Sequence, residues 1–556
     1  MTKIITVLLL SCTANLLSAQ QIGMLKKAGD MNSNNQAFST VIDHAHNTII
    51  SGMLYDTSSF NTTILASHGG YDGYVAKYDT SGNVLWAKTF GGAGNDYIGH
   101  SAVDASNNVY ITGTFKSTSI YFTPTDSLVK MSPAAISNSY LAKFDPNGTF
   151  LWARLVGSNT QAETWSVAID PWGNAIIGGV FNMDITISGT PFTNAFYNLY
   201  MAKFTSAGVL DWAKLGSSEG LCKINELSCD YKGNIYAIGK LSTNLTFGTV
   251  TATNIGGDDA WFGKYDSSGK CLFMKVLGGS YFVTTTDGAL DGGNTIQPDK
   301  LGNFFVGGNL LITWGTPVSQ MGYYAKYNDT GAQVWMHTFG INFESVTGIA
   351  LDNNNDPYIS GLVYAADTVG GTVVPYTAGG NTFIGSFDKT TGNANWIKTS
   401  TTNVGGNSGT DVLGYLSTGS IAVDQASGTI MASGQFQSQM SFDAFSVSST
   451  DATATYNDIY MLRIWNSSRL VQTPVIVADD ELSIYPNPVK NDVNIIFNSG
   501  VWHKISLQNL NGQVVNEWET NAPDFTTNLQ SVSPGNYLLL ITDNNNNKAV
   551  RKVSKL

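Results

Sequence analysis

Charged residues, cysteines and long apolar runs are scarce in this chain of 556 residues. Asp, Glu, Lys and Arg make up 13% of it, which leaves too little charge for the solvated faces of long amphipathic helices. Its four cysteines are too few for a disulfide framework. Beyond the N-terminus no apolar run approaches the about 18 residues that cross a bilayer, so we expect a soluble mature protein without a membrane span.

Motifs of common enzymes and of nucleic-acid binding are missing too. The sequence has no HExxH, no Walker loop, no dinucleotide fingerprint and no paired cysteines at zinc spacing, so it indicates no metal and no cofactor. A formal net charge of -12 repels phosphate backbones and argues against a nucleic-acid partner. An active site assembled from distant loops stays open, because a fold does not fix a function.

Glycine and aromatic residues, by contrast, are abundant. The chain contains 58 glycines, and 11% of its residues are aromatic. Aromatic residues favour strands and glycines favour tight turns, whereas no segment shows sustained helical periodicity with caps. The composition therefore predicts an all-β protein.

The first residues have the features of an export signal. They are MTKIITVLLLSCTANLLSAQ, with a lysine, an apolar core and a small-residue site before Gln20. This pattern predicts a secretory signal peptide over residues 1–19. The string LLSC ending at Cys12 offers an alternative, because it resembles a lipobox in which that cysteine would be lipidated.

Three cysteines remain if the signal peptide is removed, namely Cys222, Cys229 and Cys271. They lie close together in the sequence, so one disulfide bridge among them is conceivable. Buried free thiols are the alternative interpretation.

Two sequence patterns recur along most of the chain. YVAKYDTSGNVLWAKTFGG begins at Tyr74 and is followed later by YLAKFDPNG, YMAKFTSAG, WFGKYDSSG, YAKYNDTG and FIGSFDKTTG. SAVDASNNVYITG is echoed by segments such as SVAIDPWGNAIIGG and LSCDYKGNIYAIG. The aligned residues that end the first pattern's strand give seven copies: Tyr78, Phe144, Phe204, Tyr265, Tyr327, Phe387 and Ile464.

Each copy predicts four short strands joined by hairpin turns. In YVAKY the side chains of Tyr74, Ala76 and Tyr78 share one face, which is the period of a strand. Turns such as DTSG and DASNN supply an aspartate for an Asx-type hydrogen bond. Such sheets bury both faces only by packing radially, which predicts a seven-bladed β-propeller. The recurring Trp86 then packs between blades, and a sugar-stacking surface is its functional alternative.

A known repeat family shares this pattern. The string GGYDGYVAKYDTSGNVLWAKTFGGAGNDYIGHSAVDASNNVYITG resembles the SBBP-type β-propeller repeat of secreted bacterial proteins. The resemblance covers residues 22–466 and is weakest in the fifth and sixth copies. It implies the propeller fold and secretion, and it specifies neither a ligand nor a reaction.

The N-terminal end of the repeat region contains a strand that the C-terminal end lacks. The segment MLKKAG, residues 24–29, aligns with the last strand of a copy, and the final copy stops at Trp465 without that strand. We predict that the N-terminal segment completes the last blade as its outermost strand. Both kinds of turn then lie on one face, and the long variable connections lie on the other.

A different pattern follows the repeats. Residues 467–479 are predicted to be a linker, and residues 480–556 contain alternating segments split by Asn-Gly, Pro-Gly and Asn runs. They predict a small immunoglobulin-like β-sandwich. The most distinctive residues here are Tyr485, Pro486, Asn487, Pro488, Gly512, Pro534, Gly535, Asn536, Tyr537 and Lys552. In this order they resemble the type A C-terminal sorting domain of the type IX secretion system of Gram-negative bacteria.

This resemblance implies a partner and a destination. The partner is the type IX secretion machinery, which such domains engage in order to cross the outer membrane. In that family the domain is usually removed, and the cargo is released or attached to surface polysaccharide. We therefore expect a protein that passes through the periplasm and is secreted or held at the outer cell surface. An ordinary immunoglobulin-like module is the alternative.

Three short motifs suggest chemistry, and each has a structural alternative. Gly216–Gly220 matches G-x-S-x-G but lacks the strand–turn–helix context of a nucleophile elbow. His44 and His46 resemble a metal pair, yet they occupy a hairpin turn with no third ligand. Asp352 and Asp356 suggest Ca²⁺, although their loop has few other carboxylates.

Two classes of function remain. We favour a non-catalytic binding or adhesion module for an extracellular glycan or protein, and the alternative is a hydrolase or lyase acting on a polymer such as polysaccharide. Function concentrates on variable loops of a rigid scaffold, so we expect the ligand on the face formed by loops between blades. The acids expected there, either for a cation or basic ligand or as solvated residues, are Asp96, Glu163, Glu219, Asp287, Asp291, Glu344 and Asp411.

Overall fold

The computed structural model divides the chain into two compact units. One is Gln21–Trp465, and the other contains Asn466–Leu556. The predicted signal peptide and linker lie outside the described residues and stay predictions. The residues that the structure describes are 20–29, 34–278, 292–313, 319–340, 344–376, 380–400, 420–436, 439–449, 457–465, 482–497, 503–509, 514–520, 524–543 and 548–556.

Every regular element in these ranges is a β-strand, which confirms the all-β prediction. Within them there is no helix with the length and apolar character to cross a membrane.

The strands of the first unit follow in chain order. The first eighteen are β1 (Gln21–Ala28), β2 (Gln36–Ile42), β3 (Thr48–Phe60), β4 (Thr63–Tyr78), β5 (Val84–Phe90), β6 (Asp96–Val103), β7 (Val109–Phe115), β8 (Ser119–Tyr121), β9 (Ser127–Val129), β10 (Asn138–Phe144), β11 (Phe150–Gly157), β12 (Gln161–Ile169), β13 (Ala175–Ile187), β14 (Thr190–Phe204), β15 (Leu210–Ser218), β16 (Cys222–Cys229), β17 (Ile235–Leu241) and β18 (Leu245–Phe247). The next eighteen are β19 (Val250–Ala252), β20 (Asp259–Tyr265), β21 (Cys271–Leu277), β22 (Gly292–Pro298), β23 (Phe304–Thr313), β24 (Ser319–Tyr327), β25 (Gln333–Phe339), β26 (Ser345–Leu351), β27 (Pro357–Val363), β28 (Asp367–Val369), β29 (Thr372–Val374), β30 (Asn381–Phe387), β31 (Ala394–Thr399), β32 (Ser420–Val423), β33 (Ile430–Phe436), β34 (Gln439–Phe442), β35 (Phe445–Ser448) and β36 (Asp458–Trp465).

These strands form repeated antiparallel meanders of four. The sheets β2-β3-β4-β5, β16-β17-β20-β21, β22-β23-β24-β25 and β26-β27-β30-β31 share one strand order. Strands β6-β7-β10-β11 and β12-β13-β14-β15 repeat it, and pairing of β11 with β13 merges them into one larger sheet. The short hairpins β8-β9, β28-β29 and β34-β35 are insertions in the long connections.

The last meander is completed by the N-terminal strand. β1 pairs antiparallel with β36, with Ile22 opposite Ile464 and Lys27 opposite Tyr460, and the sheet continues to β33 and β32. The predicted outermost position of the N-terminal segment is therefore observed. The first strands β2, β6, β12, β16, β22, β26 and β32 contact one another in this sequence, and β32 contacts β2, so they form a closed ring.

The recurring tryptophan packs between neighbouring sheets, as the repeat predicted. Trp86 of β5 joins a core that contains Val75 of its own sheet and Phe144 of the next sheet. Its Nε1 donates a hydrogen bond to the carbonyl of Pro146 at 3.1 Å. Gly148 lies directly against the ring at a φ of 79°, where a Cβ atom would approach Trp86 to 2.8 Å. Glycine is thus required at position 148 for two reasons: the turn needs a positive φ, and the Trp86 ring leaves no space for a Cβ atom.

A buried ion pair ties the third strand of a meander to its first turn. Lys77 Nζ lies 2.7 Å from a carboxylate oxygen of Asp43, and Lys203 lies 2.8 Å from Asp170 in the equivalent place. Burial opposes ionisation of Asp43, but bonds from Lys77 and Asn47 outweigh it and hold the pKa below its usual value. The turn is therefore charged and fixed at neutral pH.

The C-terminal unit contains two antiparallel sheets around its own core. Its strands are β37 (Leu482–Tyr485), β38 (Asp492–Phe497), β39 (His503–Asn509), β40 (Val514–Thr520), β41 (Asp524–Asn528), β42 (Gly535–Asp543) and β43 (Lys548–Lys555). They pair as β37-β38-β41 and β40-β39-β42-β43. Val493, Ile505, Leu539 and Val553 belong to the core between them.

Candidate functional site

A cavity of about 690 Å³ lies inside the ring of first strands. Residues from each of these strands line it, among them His100, Val167, Glu226, Ile349 and Ile421. This volume is in the range of ligand-binding cavities, roughly 300–1,000 Å³. The ring therefore provides both a rigid scaffold and space for a ligand.

One position in the first strands is equivalent in every repeat, four residues before the aspartate of the first turn. Where this position is a serine or threonine, its side-chain oxygen can connect two sheets. Ser166 Oγ accepts a hydrogen bond from Leu227 N at 2.9 Å. Thr295 Oγ1 likewise accepts one from Ile349 N at 3.1 Å. The residues at this position are Ser39, His100, Ser166, Glu226, Thr295, Gly348 and Ser420.

Glu226 occupies the equivalent position in β16 and makes the same connection with a carboxylate. It accepts hydrogen bonds from Ile296 N at 2.8 Å and from Gln297 Nε2 at 3.0 Å. Burial raises its pKa from 4.5 to about 7, and these hydrogen bonds offset burial only in part. A carboxyl group that exchanges its proton near neutrality can act as a general acid or base.

His100 is the other titratable residue of this set. Its Nδ1 donates to the carbonyl of Val167 at 3.3 Å. Burial lowers the pKa of His100 to about 4, so the ring is neutral at physiological pH. His100 therefore serves as a neutral donor between the sheets.

The Glu226→Gln variant should gain stability relative to the parent as the pH rises from 5 to 8. The folded-state pKa of Glu226 lies above its unfolded value of 4.5, so the parent loses stability as pH rises from 4.5 through about 7. The difference should grow by about 2 kcal/mol, because cavity water reduces the full effect of about 3 kcal/mol. Denaturant unfolding at both pH values measures it.

The exposed acid Glu219 supplies the control. Glu219→Gln makes the same exchange at an exposed position, and the change in the Glu226→Gln protein should exceed the change in this control. A Glu226→Gln protein whose stability follows the parent at both pH values would show that the carboxyl group titrates normally.

Aromatic and cationic side chains cluster towards the end of the cavity where β6 and β16 begin. The rings of Tyr97 and Trp165 have centroids 5.7 Å apart, and Lys223 Nζ lies 5.2 Å from the Trp165 ring. Lys240 lies behind them in an ion pair with Asp258 at 2.5 Å. Burial lowers the pKa of Lys223, and neighbouring Lys240 adds to the effect. We call Tyr97, Trp165, Lys223 and Lys240 the channel mouth; all four line the cavity.

Two of the candidate acids are buried and hold loops. Asp96 begins β6 and accepts hydrogen bonds from Gly92 N at 2.7 Å and Ser117 Oγ at 2.6 Å. Burial raises its pKa. Glu344 is also fully buried, and Tyr364 N donates to it at 3.3 Å. These contacts favour the structural interpretation of both residues.

The other candidate acids do not form a cluster with Asp96 and Glu344 among the residues that the structure describes. Glu163 is also buried, beside Lys223, and Gln161 Nε2 donates to it at 2.9 Å, whereas Glu219 is exposed. Among the residues that the structure describes, no three His, Cys, Asp or Glu side chains are grouped to hold a metal ion. Asp287, Asp291 and Asp411 lie outside the described residues and stay predictions.

The three short motifs lie in strands and turns. Ser218 ends β15, and its Oγ lies 2.9 Å from Thr243 Oγ1. His46 Nδ1 lies 2.9 Å from a carboxylate oxygen of Asp424, in a neighbouring turn. Asp352 accepts hydrogen bonds from the backbone of its own turn, including Asn354 N at 2.8 Å. Each contact is one that a structural role explains.

The cysteines Cys222, Cys229 and Cys271 are free thiols, so no bridge joins them. Burial raises the pKa of Cys222 to about 12 and that of Cys271 to about 11. At neutral pH both are protonated and unreactive. The structure thus supports buried thiols over a disulfide.

Residues that are distant in the C-terminal sequence converge on its last strand. Asn487 Nδ2 donates to the carbonyl of Lys552 at 2.7 Å, and Ser554 N donates to Asn487 Oδ1 at 2.9 Å. Asn536 and Ser554 are paired, with their side chains 3.0 Å apart. Tyr537 OH donates to Ser533 O at 2.8 Å.

Asn487, Asn536 and Lys552, three of the marks named from the sequence, therefore meet at the last strand, whereas Tyr537 is buried in the core and Gly512 lies outside the described residues. Tyr485, Pro486 and Pro488 are exposed beside Asn487, and Pro534 and Gly535 are exposed at the start of β42. Sequence order alone gave no indication that these segments meet.

Comparison with known families identifies this unit. Residues 483–555 match the family described as the secretion system C-terminal sorting domain. The chain is similar to an uncharacterized WD repeat-containing protein of Acanthamoeba polyphaga mimivirus, 25% identical over 228 residues. That match covers 35% of this chain, which spans only 16% of the relative's length.

Solved structures show more distant similarities. A chain of the mitotic checkpoint complex superimposes with a TM-score of 0.40 at 8% identity, covering 84% of this chain and 98% of that chain. PorZ, a surface component of the type IX secretion system of Porphyromonas gingivalis, gives a TM-score of 0.20 at 11% identity, covering 94% and 81%. Neither superposition is close enough to carry an argument.

The protein thus combines an all-β repeat unit with a second, C-terminal unit. The C-terminal unit is a secretion sorting domain. This domain implies export through the type IX secretion system, either to the cell surface or into the medium.

Proposed function

We propose that Gln21–Trp465 is a seven-bladed β-propeller of SBBP type and that it binds an extracellular ligand without catalysis. The closed ring of first strands and the pairing of β1 with β36 support the blade number. The two sheets of the C-terminal unit support an immunoglobulin-like sandwich. The ligand is a glycan or protein met at the cell surface or in the medium.

The channel mouth carries the binding proposal. Its two aromatic rings and its lysines lie at the edge of a cavity large enough for a small ligand. Asp258 fixes Lys240, and Glu163 offsets part of the positive charge around Lys223. Side chains that are already fixed lose little entropy on binding, which favours recognition.

A hydrolase or lyase acting on an extracellular polymer is the second candidate. Glu226 favours it, because its pKa of about 7 suits proton transfer at neutral pH. The enzyme hypothesis predicts that Glu226→Gln abolishes polymer cleavage. Under the binding hypothesis the same variant retains ligand affinity and the parent cleaves nothing.

A glycan array tests the binding proposal. The parent should retain a defined set of glycans, and Lys223→Met or Trp165→Ala should weaken that binding by at least about tenfold. Lys214→Ala, an exposed lysine on β15, is the matched control and should bind like the parent. Equal binding by parent and both mouth variants would exclude the channel mouth as the site.

A further inference from the structure

Three successive turns carry large exposed hydrophobic side chains, and the other equivalent turns carry none. The turn after the first strand has the pattern Asp-x-x-Gly-Asn or a close variant. Trp172 is 62% exposed, Tyr231 57% and Leu301 75%, and each occupies one of the two positions after the aspartate. The second position elsewhere holds only small or polar residues: Ala45, Ser106, Asn354 and Ala426.

Hydrogen bonds to the backbone fix the turns that carry these side chains. Asp170 Oδ1 accepts a hydrogen bond from Trp172 N at 3.0 Å, and Asp299 Oδ1 accepts one from Leu301 N at 2.8 Å. The Trp172 ring extends over the next turn, where a Cβ atom on Gly233 would lie 2.3 Å from it. Trp172 and the turn of Tyr231 therefore form one continuous surface.

Lysines accompany the apolar side chains. Lys232 Nζ lies 5.3 Å from the centroid of the Tyr231 ring, and Lys300 Nζ donates to Asn353 Oδ1 at 2.8 Å. The aspartates of these turns are buried and engaged by the backbone. A chain with a net charge of -12 thus presents a local basic and aromatic patch. We call Trp172, Tyr231, Leu301, Lys232 and Lys300 the turn-face patch.

The chemistry of the patch indicates its ligand. Large exposed apolar side chains on a surface mark an interaction site. Trp172 and Tyr231 lie on consecutive turns, so a linear polymer built of ring-shaped units can contact both. Lysine ammonium groups attract carboxylates, most strongly at low ionic strength.

We propose that the turn-face patch binds a carboxylated polysaccharide. The rings of Trp172 and Tyr231 pack against sugar rings, Leu301 extends the apolar contact, and Lys232 and Lys300 pair with the carboxylates. This site lies at the turns that end the first strands, whereas the channel mouth lies towards the end of the cavity where β6 and β16 begin. It is therefore a second site, independent of the one proposed above.

Affinity electrophoresis in gels containing polygalacturonate, alginate or neutral dextran tests this proposal. The two acidic polymers should retard the full chain, and dextran should not. The double variant Trp172→Ala/Tyr231→Ala should weaken the retardation at least about tenfold. Lys232→Gln/Lys300→Gln should weaken it and reduce its dependence on salt.

The matched control is His44→Ala, an exposed ring in the equivalent turn of the first repeat, which should be retarded like the parent. Thermal unfolding of each variant confirms that the exposed substitutions leave the fold intact. Equal retardation of the parent and the ring variant would overturn the proposal. So would equal retardation by poly-L-glutamate, which shares the carboxylates but has no sugar rings, or loss of retardation only in Lys223→Met.

Discussion

Deletion of β1 should lower the free energy of unfolding of the first unit by about 5 kcal/mol. Ile22 belongs to the core that contains Tyr460 and Ile464 of the last sheet. Met24 belongs to a different core, which contains Ile50 and Tyr74 of the first sheet. Removing β1 therefore opens two cores and exposes the edge of β36.

Denaturant unfolding of a chain lacking residues 21–28 measures this loss. A synthetic peptide QIGMLKKA should restore stability in a concentration-dependent manner, because binding to the native state adds to its stability. The same peptide with Asp in place of Ile22 and Met24 should not. Gln21→Ala is the control, since this side chain is exposed. A deleted chain as stable as the parent would show that β1 is dispensable.

Truncation after Trp465 should leave the first unit folded and nearly abolish its appearance outside the cell. The core of the C-terminal unit, including Val493 and Ile505, is built from its own strands. The truncated chain should therefore unfold at the same temperature as the first unit of the full chain. Immunoblots of medium, cell surface and periplasm measure the loss of export.

A single substitution tests the converged site of the sorting domain. Asn487→Ala removes two hydrogen bonds to the last strand and should reduce export, whereas Asn528→Ala, which removes a bond to Asp492, should not. Mass spectrometry of the exported parent should lack peptides from residues 483–555. Recovery of the terminal VSKL peptide from the extracellular protein would contradict removal of the domain.

Much of the fold can be predicted from the sequence because each strand pattern and each turn pattern occurs in several copies. Seven copies of one strand pattern fixed the strand boundaries, and a missing strand at Trp465 with a spare one at Met24 predicted their pairing. The tryptophan at 86 was interpretable because it recurs in register. Because several copies share one pattern, they identify the strands, whereas a single copy would not distinguish a strand from another element.

The candidate site was harder to predict. Asp96 looked like a ligand residue, but its four hydrogen bonds to the loop appear only in three dimensions. Glu226 was overlooked, although an alignment on the turn aspartates places it among serines and threonines and marks it as unusual. Its raised pKa depends on burial by neighbouring sheets, which no local pattern encodes.

The pairing of β1 with β36 also imposes an order in time. Gln21 and Trp465, opposite each other in the sheet, are the first and last residues of the unit. At about 5–20 residues per second, the first strand is synthesised roughly 20–90 s before its partner. Until then Ile22 lacks its native neighbours Tyr460 and Ile464, so a protease can cut this end of the newly made chain or a chaperone can bind it. The ring of sheets therefore closes only after its last strand has been made.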